Sequence, residues 1–168
     1  IYAGISNYTA AQTREACRIL RDLGCPCLIH QPKYSMYERW VEAELLDVLE
    51  QEGVGCIPFS PLAQGLLTDR YLHGIPEGSR FARYDQFRER YLTEENRRKV
   101  LKLKAVADEL GLTRTQLALA WVLRLPGISS AITGTTRPEQ IKESLGAAGV
   151  DLPQEALEKI EAILRGEA

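Results

Sequence analysis

The stretch Ala131–Ala147, AITGTTRPEQIKESLGA, decides the fold. Ala131-Ile132-Thr133 reads as a short buried strand, Gly134-Thr135-Thr136 as a turn, and the remainder as a helix. Thr136 is placed to N-cap that helix. Pro138 lies in its first turn, where a missing N–H costs nothing, and Glu139 complements the positive end of the dipole. A strand that feeds a capped helix leaves backbone N–H groups facing open space, an arrangement suited to anions and to phosphate above all. Arg137 adds a bidentate donor. The same spacing also describes an ordinary strand–turn–helix unit with a solvated arginine.

Working outward from this stretch, the strand-then-helix order recurs upstream. Ile1–Ile5 predicts a strand that ends in Ser6-Asn7. Thr9 caps a helix over Ala10–Leu23, with Ala16, Ile19, Leu20 and Leu23 at helical spacing and Gly24 as its stop. Cys27–His30 predicts a second strand, closed by Gln31-Pro32. Glu38–Gln51 predicts a helix with Trp40, Val41, Leu45, Val48 and Leu49 as its apolar stripe. Gly55–Phe59 predicts a third strand, closed by Ser60-Pro61. Strands alternating with helices imply right-handed crossovers and a parallel sheet.

The rhythm breaks over residues 60–93. This polar stretch carries Gly65, Gly74, Pro76 and Gly78, with Arg70, Arg80, Arg83, Arg88 and Arg90. A long loop inside a domain is often functional. It reads either as a lid over an anionic ligand or as a solvated basic loop. Helices follow from Thr93 to Leu110 and from Gln116 to Leu125, the latter behind the cap Thr113. The helix of the opening stretch ends near Gly146, and a last helix runs from Pro153 to Leu164.

Composition bounds the function. The chain has 168 residues, 45% of them hydrophobic and 26% charged, and a formal net charge of -2. That supports one globular core, read as a single domain over residues 1–168. Near-neutral charge argues against a nucleic-acid partner. No apolar run spans a bilayer, and no secretory signal is visible, so the expected location is the cytoplasm with no membrane partner. Cys17, Cys25, Cys27 and Cys56 match no metal spacing and read as reduced thiols. The chain opens at Ile1 in what reads as a strand, and its only methionine is Met36. It reads as a chain that has lost its beginning.

The polar motifs all follow strands: Ser6-Asn7, Gln31, Ser60 and Gly134–Arg137. In parallel α/β proteins, ligands bind at the carboxyl ends of strands. The residue types suit a dinucleotide. Asn7 and Gln31 carry amides that pair with a carboxamide, and Phe59 or Tyr34 offers an aromatic face. Each also has a plainer reading: a turn residue for Asn7, a strand end for Gln31, core for Phe59, surface for Tyr34.

Together, GISNY (Gly4–Tyr8), HQPKYSMYER (His30–Arg39), FSPLAQGLLTDRY (Phe59–Tyr71), Ser79-Arg80, TQLALAWVL (Thr115–Leu123) and ITGTTRPEQIKESLGA (Ile132–Ala147) resemble the aldo-keto reductase family. The likeness covers essentially the whole chain and is greatest to the branch of glyceraldehyde-phosphate reductases and potassium-channel beta subunits. The resemblance implies a (β/α)8 barrel, the TIM barrel. Such barrels need about 250 residues, so the strands read here would be strands five to eight, the second half. It further implies NADPH as cofactor. Ser6, Asn7 and Gln31 would hold the nicotinamide carboxamide, with Phe59 stacked on the ring. Ser60, Leu62, Gly65 and Arg70, continued by Ser79 and Arg80, would clasp the pyrophosphate. Gly134 would contribute to the strand-end turn, Thr136 and Arg137 would meet the 2′-phosphate, and Gln140 and Glu143 the adenosine. Ser144 stands where the family usually has Asn, which puts one adenine contact in doubt.

The family's catalytic Asp, Tyr, Lys and His belong to the first half of the barrel, and no residue here matches them. His30 and His73 read as structural. The resemblance therefore implies reduction of small aldehydes or ketones by the complete protein, with the N-terminal half of the barrel as partner and an inactive chain in its absence. A half barrel with two open edges is also expected to form a homo-oligomer, to aggregate or to stay partly molten. The alternatives are a cofactor-sensing binding module, as in the channel beta subunits, and a truncated product without a role.

Overall fold

Thr9 starts the first helix as its spacing predicts. In the computed structural model, which describes residues Ile1–Glu167, Thr9 Oγ1 accepts the Gln12 N–H and Gln12 Oε1 accepts the Thr9 N–H. This reciprocal capping box satisfies two donors that the helix itself cannot. The chain forms two compact units, one of Ile1–Pro61 with Val122–Thr133, the other of Leu62–Trp121 with the segment from Gly134 onward.

The first unit is β1 (Ala3–Ser6), α1 (Ala10–Asp22), β2 (Cys27–Gln31), α2 (Leu45–Glu52) and β3 (Gly55–Cys56). The sheet is parallel, in the order β1-β2-β3. Ile5 stands opposite His30 and Ser6 opposite Gln31, so the two strands end side by side. Gly55 permits a close approach: a Cβ there would lie 2.9 Å from Ser129 Oγ. Val41, Leu45, Val48, Leu49 and Cys56 are fully buried. Each such aliphatic side chain contributes about 1.5–3 kcal/mol on burial.

Three elements differ from expectation. The regular part of the third strand stops at Cys56, because Pro58 has no N–H to give the ladder. The pairing nevertheless continues, with Ile57 N–H donating to the His30 carbonyl at 3.0 Å and Phe59 N–H to the Pro32 carbonyl at 2.9 Å. The fourth strand, expected over Ala131–Thr133, is reduced to parallel bridges from Ile128 to Cys56 and from Ile132 to Phe59. Finally, the helix expected over Glu38–Gln51 is broken. Trp40–Glu42 is a 3₁₀ turn, Glu44 leaves the helical region at φ -148°, and only Leu45–Glu52 is α-helical. Trp40 leaves the apolar stripe and donates its indole N–H to the Lys33 carbonyl.

The second unit is helical: α3 (Arg80–Arg83), α4 (Asp85–Tyr91), α5 (Glu94–Glu109), α6 (Arg114–Leu123, which belongs to this unit up to Trp121), α7 (Pro138–Leu145) and α8 (Gln154–Arg165). The expected loop over residues 60–93 holds the 3₁₀ turns Ala63–Gly65 and Asp69–Tyr71 as well as α3 and α4. Its order comes from aromatics. Tyr71 stacks on Phe81 with centroids 4.2 Å apart, and Phe81 on Tyr91 at 6.2 Å. Thr93 caps α5 by accepting the Asn96 N–H, while the Asn96 amide turns back to the Tyr91 carbonyl. Thr113 and Gln116 form a second capping box. Helix α5 packs on α8, and Lys159 reaches Glu109 across their rim at 3.0 Å.

Candidate cofactor site

The strand ends of the first unit meet as the sequence predicts. Ser6 Oγ donates to the Gln31 carbonyl at 2.7 Å, and the Asn7 N–H reaches the same oxygen at 3.2 Å. Asn7 Oδ1 in turn accepts the Lys33 N–H at 2.9 Å. Phe59 is tied in from both sides, donating to Pro32 and accepting from Tyr34. Asn7 and Ser60 both hold positive φ, 55° and 57°. Strained backbone of this kind is tolerated where surrounding contacts over-determine it.

These bonds decide what the residues offer a ligand. The Ser6 hydrogen is committed, so its lone pairs remain to accept. The Asn7 carbonyl is committed, so its NH2 remains to donate. The Gln31 side chain and the Phe59 ring are partly exposed. An acceptor and a donor at one strand end, with a partly exposed aromatic ring on the same edge of the sheet, are the groups that a primary carboxamide on a flat ring requires. Tyr34 does not take part. It is fully buried, with its hydroxyl donating to Glu42 Oε1 at 2.5 Å, so neither the stacking role nor a surface position holds.

In the second unit, Leu62, Gly65 and Arg70 lie on or beside the two 3₁₀ turns. Gly65 has φ 96°, which a side chain would strain. Arg70 is exposed. Its turn is held by Arg114, a residue absent from the sequence-predicted set. Arg114 Nε donates to Asp69 Oδ1 at 2.7 Å and Nη2 donates to the Thr68 carbonyl. Arg114 stands at the start of α6, a position that reads as exposed, and no local signal marks it as buried. Arg80 is exposed and donates to Gln64. Ser79 is fully buried, and among the described residues its hydroxyl has no partner. In this structure Ser79 does not present its side chain to a ligand.

The start of α7 is also rearranged. Arg137, not Thr136, is the N-cap residue. Gln140 Oε1 reaches back to accept the Thr136 N–H at 2.8 Å and the Arg137 N–H at 3.3 Å. The longer amide side chain satisfies both groups at once, which the Thr136 hydroxyl cannot do. Arg137 and Gly134 are exposed, and Glu143 and Ser144 are half-buried. The Glu143 carbonyl accepts from Gln116 Nε2 at 3.2 Å.

Several other reactive groups are buried. His30 is buried with Nε2 3.1 Å from the Tyr8 carbonyl. Burial pushes its pKa down and the carbonyl draws it partly back. His73 is exposed. Burial pushes the Cys17 thiol up to about 11, with Cys27 adding to the shift, and the Cys56 thiol up to about 12. Thiols so shifted are poor nucleophiles. Among the described residues no group of three His, Cys, Asp or Glu is placed to hold a metal, and no helix is long and apolar enough to cross a membrane.

The family model for the aldo/keto reductase family matches residues 1–165. The chain belongs to the aldo/keto reductase family. Its relatives include the L-glyceraldehyde 3-phosphate reductase of Escherichia coli, 41% identical over 88% of this chain and 44% of the relative. The probable voltage-gated potassium channel subunit beta of Arabidopsis thaliana is 42% identical over 98% of this chain and 52% of the relative. The corresponding protein of Oryza sativa subsp. japonica is 41% identical over the same shares. The chain thus spans about half the length of the relatives it matches. Aldo/keto reductases are oxidoreductases built on a (β/α)8 fold and generally use a nicotinamide cofactor, and the parallel β-α order of the first unit is consistent with part of that fold.

Proposed function

We propose that this chain is the cofactor-holding second half of an NADPH-dependent aldo/keto reductase barrel. The observation that carries the reading is the set of strand ends where Ser6 gives its hydrogen to Gln31 and is left to accept, Asn7 Oδ1 takes the Lys33 N–H and leaves its NH2 to donate, and Phe59 is partly exposed. Bound there, the nicotinamide would supply the hydride that reduces an aldehyde or ketone to an alcohol. Ser6, Asn7 and Gln31 orient the carboxamide, and Phe59 covers one face of the ring. Ser60, Leu62, Gly65, Arg70 and Arg80 keep the pyrophosphate role that the family resemblance implies. Arg137 with Thr136 takes the 2′-phosphate, and Gln140, Glu143 and Ser144 the adenosine. Arg137 favours NADPH over NADH because a guanidinium pairs bidentately with phosphate.

The proton donor and its partners lie outside this chain in this reading, in a first barrel half that pairs with the outer edge of β1. Among the described residues that edge has no strand beside it, and Ile5, Ala16, Ile19 and Leu20 line a groove along it. A second copy of the chain would cover the same edge in the absence of that half. The compartment that fits the reduced cysteines is the cytoplasm.

Titration of the chain with NADPH and NADH, followed by the fluorescence of Trp40 and Trp121, tests the reading. Saturable binding with NADPH tighter is expected, with no carbonyl reduction by the chain alone. Absence of binding, or turnover by the 168-residue chain, overturns it. A second reading, a cofactor-sensing module, draws on the two plant relatives named as potassium channel beta subunits. Cofactor-dependent binding to a protein partner, with no turnover once a first barrel half is supplied, would favour it.

A further inference from the structure

Two consecutive residues outside the predicted cofactor set hold two residues inside it. The Lys33 N–H fixes the Asn7 carbonyl at 2.9 Å. The Tyr34 N–H donates to the Phe59 carbonyl at 3.3 Å, and the Phe59 N–H donates to Pro32 at 2.9 Å. The pair is itself restrained: Trp40 Nε1 donates to the Lys33 carbonyl at 3.1 Å, and Lys33 Nζ meets Glu38 Oε2 at 3.1 Å.

Beneath this backbone lies a polar cluster. The Tyr34 hydroxyl donates to Glu42 Oε1 at 2.5 Å and accepts from Arg124 Nη1 at 3.0 Å. Arg124 Nη2 reaches the same carboxylate oxygen at 3.2 Å. Arg39 takes the other oxygen through Nε at 2.9 Å and Nη2 at 2.6 Å. The side chains of Arg124 and Glu42 keep only 17% and 22% of their exposure. Charges this sheltered lose much of their hydration, and apolar packing of the same volume is often as stable or more so. Stability is therefore a weak reason for the cluster. What it supplies is position, since one bond given to Glu42 and one accepted from Arg124, with Glu42 itself held by Arg39, leave the Tyr34 hydroxyl one place to sit. The same bonds explain why the helix expected from Glu38 breaks: Glu42 faces Tyr34, Arg39 and Arg124 from a 3₁₀ turn.

We propose that Tyr34, Glu42 and Arg124 are positioning residues for the nicotinamide end of the site. The cluster fixes the Lys33–Tyr34 backbone, and the Lys33 N–H then determines which end of the Asn7 amide faces the ligand. With the oxygen held by Lys33, the NH2 is presented to the carboxamide. If that N–H moves away, the amide is free to turn, and the donor–acceptor match with Ser6 is lost. This inference rests on the cofactor reading above and adds residues that do not touch the cofactor.

The test compares NADPH with adenosine 2′,5′-bisphosphate, which carries the adenosine and 2′-phosphate but no nicotinamide. Tyr34→Phe keeps the ring and removes the hydroxyl. Loosening the amide is expected to weaken NADPH about three- to tenfold, the scale of one lost hydrogen bond, with the bisphosphate within about twofold of the parent. Asn7→Ala is expected to reproduce this loss, and Tyr34→Phe to add nothing in that background. Glu42→Gln, which keeps the volume, serves as the second variant if Tyr34→Phe does not fold. Folded variants that bind both ligands as the parent does, or lose both equally, overturn the positioning role. If the parent chain binds the bisphosphate as tightly as NADPH, the nicotinamide end itself is wrong, and both readings fall.

Discussion

Gln140 Oε1 accepts the Thr136 backbone N–H at 2.8 Å, three residues into the helix that the sequence assigned to Thr136 as cap. In the proposed cofactor site a phosphate oxygen would need the same N–H groups, so ligand and side chain would compete for them. Gln140→Glu keeps the acceptor and adds a negative charge at the helix start. It is expected to stabilise the fold by about 0.3–1 kcal/mol through the dipole. The same charge repels phosphate, so NADPH affinity is expected to fall. Thermal melts and NADPH titration should move in opposite directions, and a rise in both would contradict the competition.

Arg137 is exposed beside that helix start. Arg137→Ala is expected to weaken NADPH by about tenfold, equivalent to 1.4 kcal/mol, while leaving NADH nearly unchanged. Equal loss for both cofactors would place Arg137 on a part of the dinucleotide they share.

Arg114 and Asp69 are unequal partners in one ion pair. The arginine side chain is 3% exposed and the aspartate 66%. Asp69→Ala leaves a guanidinium buried without its carboxylate and is expected to cost about 2–3 kcal/mol, at or below the range for broken buried pairs because Asp69 is solvated. Arg114→Met fills similar space without a charge and is expected to cost about 1–2 kcal/mol. Urea midpoints rank the two variants, and the reverse order would show that the pair behaves as a surface bridge.

His30 makes stability depend on pH. Its folded pKa lies below the usual 6.5, chiefly through burial, with the Tyr8 carbonyl opposing. The unfolded chain therefore binds the proton more readily than the folded one. The neutral ring's contribution is complete above about pH 7 and declines as pH falls through the ordinary histidine range, continuing downward until the folded pKa is reached. Urea midpoints should drop between pH 7.5 and 5.5, and His30→Gln should flatten that slope. An unchanged slope would assign the dependence to other groups.

Three of the four helix caps read from neighbouring residues form as expected, whereas the cap at Thr136 passes to Arg137 and the helix expected over Glu38–Gln51 breaks near its start. The Thr9, Thr93 and Thr113 caps each accept from the N–H three residues on. The order of β1, β2 and β3 and their shared direction follow from the alternation of strand and helix. Ser6, Asn7, Gln31 and Phe59 gather because parallel strands with short connections must end on one edge. The stretch over residues 60–93 is more ordered than its local sequence predicts, for a definite reason. Its glycines and arginines are dense, whereas the three aromatics that order it stand ten residues apart and match no helical or strand period.

By itself, then, the sequence determined the parallel strand order of the first unit, the helix starts at Thr9, Thr93 and Thr113 and the strand ends that form the candidate site, because each depends on periods or bonds within a few residues. Its motifs determined the family. The tertiary structure alone decided that Tyr34 is buried, that Glu42 leaves its helix to meet it, that Ser79 turns inward and that Arg114 grips the turn bearing Arg70. Tyr34 and Arg124 are 90 residues apart in the chain, and Asp69 and Arg114 are 45 apart. A charged side chain reads as solvent-facing until its distant partner is in place, since only the folded chain supplies the bonds that make its burial tolerable.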